Sequence, residues 1–197
     1  MEEQEKTWVR QAMDGDAAAF CNLVEAYEKP VYNLAYRLLG NSVEAEDAAQ
    51  ETFIRAYTRL NTYDPTRKFS SWMLSIASHY CIDMLRRRRG NLLSMDELPP
   101  MVDLSTPHSE QPEQVVIEGQ VADQIQSLLD ALTPAYRTPV ILRYWYDMSY
   151  QEIADTMGVT ESTIKTRLHR ARAKLAENAR DNLEITLEDH TYEHASV

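Results

Sequence analysis

An all-α protein of two small helical domains joined by an acidic flexible linker is what this chain predicts, on three observations. Only five glycines occur in 197 residues, and the plentiful Ala, Leu, Glu and Arg favour helix over a strand-rich sandwich. Helix start and stop residues recur along the chain in matched pairs. Charge is distributed in blocks. Residues 1–89 carry twelve bases against thirteen acids, and residues 90–134 carry eight acids with no Lys or Arg. Residues 135–180 are net basic, and residues 181–197 hold five acids and no bases. Such alternation marks modular construction, so the formal net charge of −11 belongs mainly to a connector and a tail.

The first domain is placed at residues 1–90. Asp16 is positioned to cap a helix over AAAFCNLVEAY, Pro30 is expected to interrupt it, and VYNLAYRLLG ends at Gly40, a natural C-cap. Ser42 is expected to cap VEAEDAAQETFIRAYTRL, whose Glu44, Glu46 and Asp47 suit the positive end of the helix dipole. Ala45, Ala49, Phe53, Ala56 and Leu60 recur on one face, which therefore packs inward. The loop NTYDPTRK, broken by Pro65, leads into FSSWMLSIASHYCIDMLRRRRG, a helix ending at Gly90.

Residues 91–118 hold four prolines and neither hydrophobic period, and are expected to be an acidic, extended tether. The second domain, residues 119–180, resumes with VADQIQSLLDAL. Thr133 and Pro134 form a cap-then-proline start for AYRTPVILRYWYDM. Ser149 and Glu152 have the spacing of a capping box, Gly158 closes that helix, and ESTIKTRLHRARAKLAENAR follows after a short turn. A short helix, a tight turn and a basic helix spell helix-turn-helix. Residues 181–197 form an acidic tail.

The stretch TIKTRLHRARAKL concentrates five of the chain's bases. At about 100° per residue, Ile164, Leu168, Ala171 and Leu175 form a buried stripe. Ser162, Thr166, His169 and Arg170 lie opposite, flanked by Lys165 and Arg172 on one side and Arg167 and Lys174 on the other. A solvated face would mix signs, yet no acid lies between Lys165 and Lys174. Short hydrogen-bonding side chains at the centre and cations at the borders suit a helix entering the major groove.

Other classes of function find little material. His79, His108, His169, His190 and His194 have no Cys, Asp or Glu partners at ligand spacing, and no Gly-rich phosphate loop exists, so no enzyme activity, metal or cofactor is expected. Cys21 and Cys81 read as two reduced, packed thiols. The acidic start MEEQEKTWVR is unlike a secretory signal and no long apolar run is present, so a cytoplasmic protein with no direct membrane insertion is expected.

The blocks VEAEDAAQETFIRAY and SYQEIADTMGVTESTIKTRLHRARAKL, in that order across such a tether, resemble the extracytoplasmic-function (group 4) sigma factors of bacterial RNA polymerase. The resemblance covers residues 6–90 and 120–178 and leaves the tether and tail outside. It implies sigma region 2 followed by sigma region 4, and a subunit that binds core polymerase and directs initiation at promoters. Within region 2 it assigns Asp47, Gln50 and Glu51 to docking on the clamp helices of the polymerase, although a capped, solvated acidic turn has the same composition. It assigns reading and melting of the minus-10 element to the segment with Tyr63, Phe69, Trp72, His79, Arg86 and Arg87. Aromatic rings, polar edges and cations suit single-stranded bases, but Trp72, Ile76 and Tyr80 at helical spacing serve a core equally. His79 stands where many relatives carry Asn. In region 4 the resemblance assigns minus-35 contacts to Arg143, Lys165, Thr166, His169 and Arg170, three of which helical geometry had already placed at the centre of the face. His169 departs from the bulky residue common there, so no promoter sequence carries over. Val140, Ile141 and Tyr144 would grip the polymerase flap tip, or be core. Promoter DNA and an anti-sigma factor are the remaining implied partners. A stand-alone helix-turn-helix regulator is the alternative reading of the same basic helix.

Overall fold

The fold comes from a computed structural model that describes residues 2–94 and 113–193, with side chains over residues 3–88 and 122–179. Asp16 caps α2 (Ala17–Leu39) as expected, its carboxylate accepting from the backbone N–H groups of Ala18 at 2.8 Å and Ala19 at 3.2 Å. Before it, α1 (Glu2–Met13) lays Val9 and Ala12 into the core, an element the sequence did not announce. Pro30 does not interrupt α2. A proline inside a helix costs about 3 kcal/mol or more. Leu23, Tyr27, Val31, Leu34 and Leu38, however, form one continuous buried stripe across it, and each such burial contributes about 1.5–3 kcal/mol. Tertiary burial therefore outweighs the break. Gly40, at φ 70, ends the helix with its N–H on the Tyr36 carbonyl at 2.8 Å.

The cap of α3 (Ser42–Thr58) falls on Asn41, not Ser42; the Asn41 side chain accepts from the Glu44 N–H at 3.0 Å. Ala45, Ala48, Ala49 and Ala56 are buried and let α3 lie close on α2. A 3-10 turn (Leu60–Thr62) leads to α4 (Phe69–Ser94), which runs past Gly90, the expected end. One glycine costs only about 1 kcal/mol in a helix interior. Cys81 on α4 is buried, but Cys21 is exposed: it lies beside the α2 stripe, next to buried Phe20, rather than on it.

The second unit begins at α5 (Glu113–Asp130), so helix occupies both ends of the stretch expected to be an extended tether. The central residues 95–112 of that tether lie outside the described residues. Thr133 and Pro134 start α6 (Pro134–Tyr144) as read, followed by α7 (Tyr150–Met157) and α8 (Glu161–Glu193). The side chains of the acidic tail also lie outside the described residues. No helix of the described residues is long and apolar enough to cross a membrane.

The two units pack on one another, a point the sequence left open. Buried Arg137 of α6 donates to the Leu38 carbonyl at the end of α2 at 2.8 Å, and to the Asp130 and Leu132 carbonyls at 3.0 and 3.2 Å. Its guanidinium also pairs with the Asp130 carboxylate at 2.8 Å. The Tyr146 hydroxyl donates to the Pro30 carbonyl at 2.6 Å, and Arg37 lies 5.0 Å from the Trp145 ring centre.

Candidate nucleic-acid interface

Local chemistry builds the helix-turn-helix. Ser149 Oγ accepts from the Glu152 N–H at 3.2 Å while Glu152 Oε2 accepts from the Ser149 N–H at 2.8 Å, a complete capping box. Gly158, at φ 62, closes α7 where a Cβ would be strained. Thr160 Oγ1 then accepts from the Thr163 N–H at 3.2 Å and opens α8. Ile164, Leu168 and Ala171 are no more than 1% exposed and lock the helix in place, with Leu175 half-buried beyond them.

That anchoring turns Ser162, Thr166, His169 and Arg170 outward, all four exposed. The Thr166 hydroxyl donates to the Ser162 carbonyl at 3.0 Å, which leaves its oxygen free to accept. Lys165 is not a lone cation: Nζ sits 2.7 Å from the Glu161 carboxylate, whose hydrogen bond and charge raise the lysine's pKa. Arg143 stands apart, on α6. Its Nη1 donates to the Met148 carbonyl at 3.0 Å and to the Asp147 carboxylate at 3.1 Å, and it lies 5.7 Å from the Tyr150 ring centre. These bonds brace the α6–α7 turn, where Asp147 adopts φ 47. An open pocket beside Ser162, Thr166 and Arg170 also involves Tyr136 and Thr163. Tyr136 comes from α6, and helical periodicity within α8 has no means of finding it.

The aromatic residues of the first unit divide differently from the sequence expectation. Phe69 is 2% and Tyr63 7% exposed. Their rings meet edge-on at 5.3 Å, Phe69 meets Tyr27 at 5.5 Å, and Trp72 closes the cluster at 5.4 and 5.5 Å. Rings so committed have no face open to solvent, and Tyr63 and Phe69 are part of the core beneath the loop. The Tyr63 hydroxyl donates to the Arg67 carbonyl at 2.6 Å and holds that loop closed, and burial raises its pKa. Trp72 is half-buried at the rim, while His79, Arg86 and Arg87 are exposed. Arg86 pairs with Asp83 at 3.1 Å. Arg88 turns back to Glu44 and the Leu39 carbonyl, and its partial burial lowers its pKa. The arginine run is therefore not uniformly outward.

On α3, Asp47 and Gln50 are exposed, but Glu51 is half-buried and bound to Arg55 at 2.7 Å. Arg55 in turn sits 4.6 Å from the Tyr80 ring centre. Sequence reasoning missed the apolar partners of this face. Val43, Asp47, Gln50, Ile54 and Tyr57 fall on one helical stripe, and its three large apolar members are 66%, 59% and 53% exposed. On α6, Val140 and Ile141 are core, at 3% and 0%, and only Tyr144 of the expected apolar grip faces solvent.

The loop before α4 and the first turn of α4 meet α7. Arg67 Nη1 lies 3.2 Å from an Asp155 carboxylate oxygen, Lys68 Nζ 3.9 Å from Glu152, and Ser71 Oγ donates to Glu152 Oε1 at 2.7 Å. Burial of Glu152 opposes its ionisation, but hydrogen bonds from Ser149 and Ser71 and the charge of Lys68 prevail and hold its pKa below the usual value.

Residues 23–90 match Sigma-70 region 2, and residues 122–175 match Sigma-70, region 4. The chain is 36% identical over 187 residues to the ECF RNA polymerase sigma factor SigW of Bacillus subtilis, covering 92% of this chain and 100% of that protein. In fold it is similar to CnrH, solved in complex with the cytosolic domain of CnrY, with a TM-score of 0.67 at 24% identity over 90% of this chain and 98% of that one. It is likewise similar to the sigma factor RpoE in complex with the anti-sigma factor NepR from Bartonella quintana, with a TM-score of 0.66 at 20% identity over 82% and 96% of the two chains.

Proposed function

We infer the division of labour within this molecule from one premise: the chain belongs to the extracytoplasmic-function sigma factors of the sigma-70 family. It is a sigma factor that binds core RNA polymerase and directs promoter-specific initiation. The stand-alone regulator is disfavoured, because region 2 has no part in that reading.

The finer assignment rests on the exposed centre of α8. Thr166, His169 and Arg170 are presented together by the buried Ile164–Leu168–Ala171 stripe. They read base edges of the minus-35 element, and Arg167, Arg172 and Lys174 hold phosphates beside them. Lys165 joins them once DNA draws it from Glu161. Arg143 supports this surface by fixing the α6–α7 turn. In region 2, the exposed edge of Trp72 with His79, Arg86 and Arg87 engages the melted minus-10 strand. The mixed stripe Val43–Asp47–Gln50–Ile54–Tyr57 docks on the clamp helices of the polymerase, with Glu51 positioning Arg55. Tyr144 carries the contact to the flap tip. The chain does no chemistry of its own, works in the cytoplasm beside the polymerase, and is restrained by an anti-sigma factor, the class of partner that holds RpoE in its solved complex.

Run-off transcription with purified core polymerase and a promoter library tests this function. Discrete products from a subset of templates are expected; no product on any template refutes it.

A further inference from the structure

The contacts that the loop before α4 and the first turn of α4 make with α7 join residues more than 80 positions apart in sequence. They are also chemically one-sided. The loop contributes two cations, Arg67 and Lys68, and the first turn of α4 a hydroxyl donor, Ser71; α7 contributes two carboxylates, Asp155 and Glu152. Both carboxylates are set from within α7. Glu152 is fixed by the Ser149 N–H at 2.8 Å, and Asp155 by Gln151 Nε2 at 2.8 Å. An arginine, a lysine and a serine converging on two fixed carboxylates form the same donor set that grips consecutive phosphates of a nucleic-acid strand. The loop begins at Tyr63, whose hydroxyl fixes the Arg67 carbonyl, and it leads into the first turn of α4, which carries Trp72, the rim aromatic.

We propose that Arg67, Lys68 and Ser71 form a backbone-phosphate site for the melted DNA strand, and that in the free protein Asp155 and Glu152 of the helix-turn-helix occupy it as phosphate mimics. The proposal rests on reading residues 63–89 as the strand-binding surface. One half of the molecule thereby covers the other half's DNA site, and loading a strand requires α7 to leave. The latch is weak by construction. Arg67 and Lys68 keep 65% and 69% of their side-chain surface in solvent, and exposed ion pairs contribute little on their own. Only the Ser71–Glu152 bond is half-buried. Such a latch lowers affinity for stray single strands yet yields when the polymerase draws the two units apart. The α8 face stays exposed throughout, so the cover acts on the downstream element alone.

The test is binding of a short T-rich single-stranded oligodeoxynucleotide to the full chain, with a peptide nucleic acid of the same base sequence as the phosphate-free control. Glu152→Gln with Asp155→Asn removes both charges while Gln retains the capping box. If closure leaves about one molecule in ten competent, this variant binds the oligodeoxynucleotide about tenfold more tightly, and the gain shrinks as salt rises. Arg67→Gln with Lys68→Gln weakens DNA binding and leaves peptide nucleic acid binding unchanged. Unaltered helicity by circular dichroism confirms that each variant is folded. Equal or weaker DNA binding by the Glu152/Asp155 variant overturns the mimicry, and unchanged binding by the Arg67/Lys68 variant overturns the phosphate site. Neither polymerase nor promoter takes part, so failure of run-off transcription and failure here are separate results.

Discussion

Replacing Arg137 by alanine removes a buried side chain that joins the start of α6 to the ends of α2 and α5. The guanidinium gives four bonds: one across the units to the Leu38 carbonyl, and three within the second unit to the Asp130 and Leu132 carbonyls and the Asp130 carboxylate. Hydrogen bonds to a charged group contribute about 1.5–3 kcal/mol each, but the simple sum overstates the loss. Asp130 is 48% exposed and rehydrates once released. Arg137 Nε is buried without a protein partner, so truncation also recovers part of a desolvation cost. Breaking a buried pair from one side costs about 3–5 kcal/mol, and that is the expected loss. For a chain of this length each kcal/mol lowers Tm by about 2–4 °C, giving a fall of roughly 6–20 °C. Guanidinium denaturation followed by far-UV circular dichroism reads the same quantity as a lower midpoint at unchanged slope. Arg137→Lys should recover less than half of the loss, because an ammonium cannot fork to several acceptors in one plane. A loss below about 1 kcal/mol, the size of one ordinary hydrogen bond, refutes the view that Arg137 anchors this junction.

Two further substitutions separate structural from binding roles. Phe69→Ala opens a hole in the Tyr27–Tyr63–Trp72 cluster and should cost about 3–5 kcal/mol in chemical denaturation; a folded, fully stable variant that loses only DNA binding would return Phe69 to the DNA surface. Ile54→Glu changes a residue that is 59% exposed, so stability should move by no more than about 0.5 kcal/mol. Affinity for core polymerase in a pull-down titration should nonetheless fall by about tenfold or more, since an interface anchor contributes over 1 kcal/mol. Unchanged affinity would remove the α3 stripe from the docking surface.

What could be read in the sequence follows the range of the physics involved. The capping box at Ser149 and Glu152, the Gly158 stop and the buried stripe of α8 depend on residues a turn or two apart, so periodicity and capping rules recover them with their side-chain directions. Pro30 misled because the local cost of a proline was visible and the burial of Val31, Leu34 and Leu38 beyond it was not. Tyr63 and Phe69 have side chains that suit a base stack and a core alike. Only the approach of Tyr27 from α2 decides between them. The packing of the two units was illegible for the plainest reason: Arg137 and Leu38 are 99 residues apart, and neither residue type announces the other.

The claim that Thr166, His169 and Arg170 read the upstream element is tested most directly by selecting promoters from a randomised library with holoenzyme carrying the natural chain or His169→Ala. The account predicts that the variant relaxes or changes preference at one or two adjacent upstream positions, at about 1–3 kcal/mol each, while the downstream preference is unchanged. Identical preferences, or a uniform loss of transcription across every sequence, would contradict it.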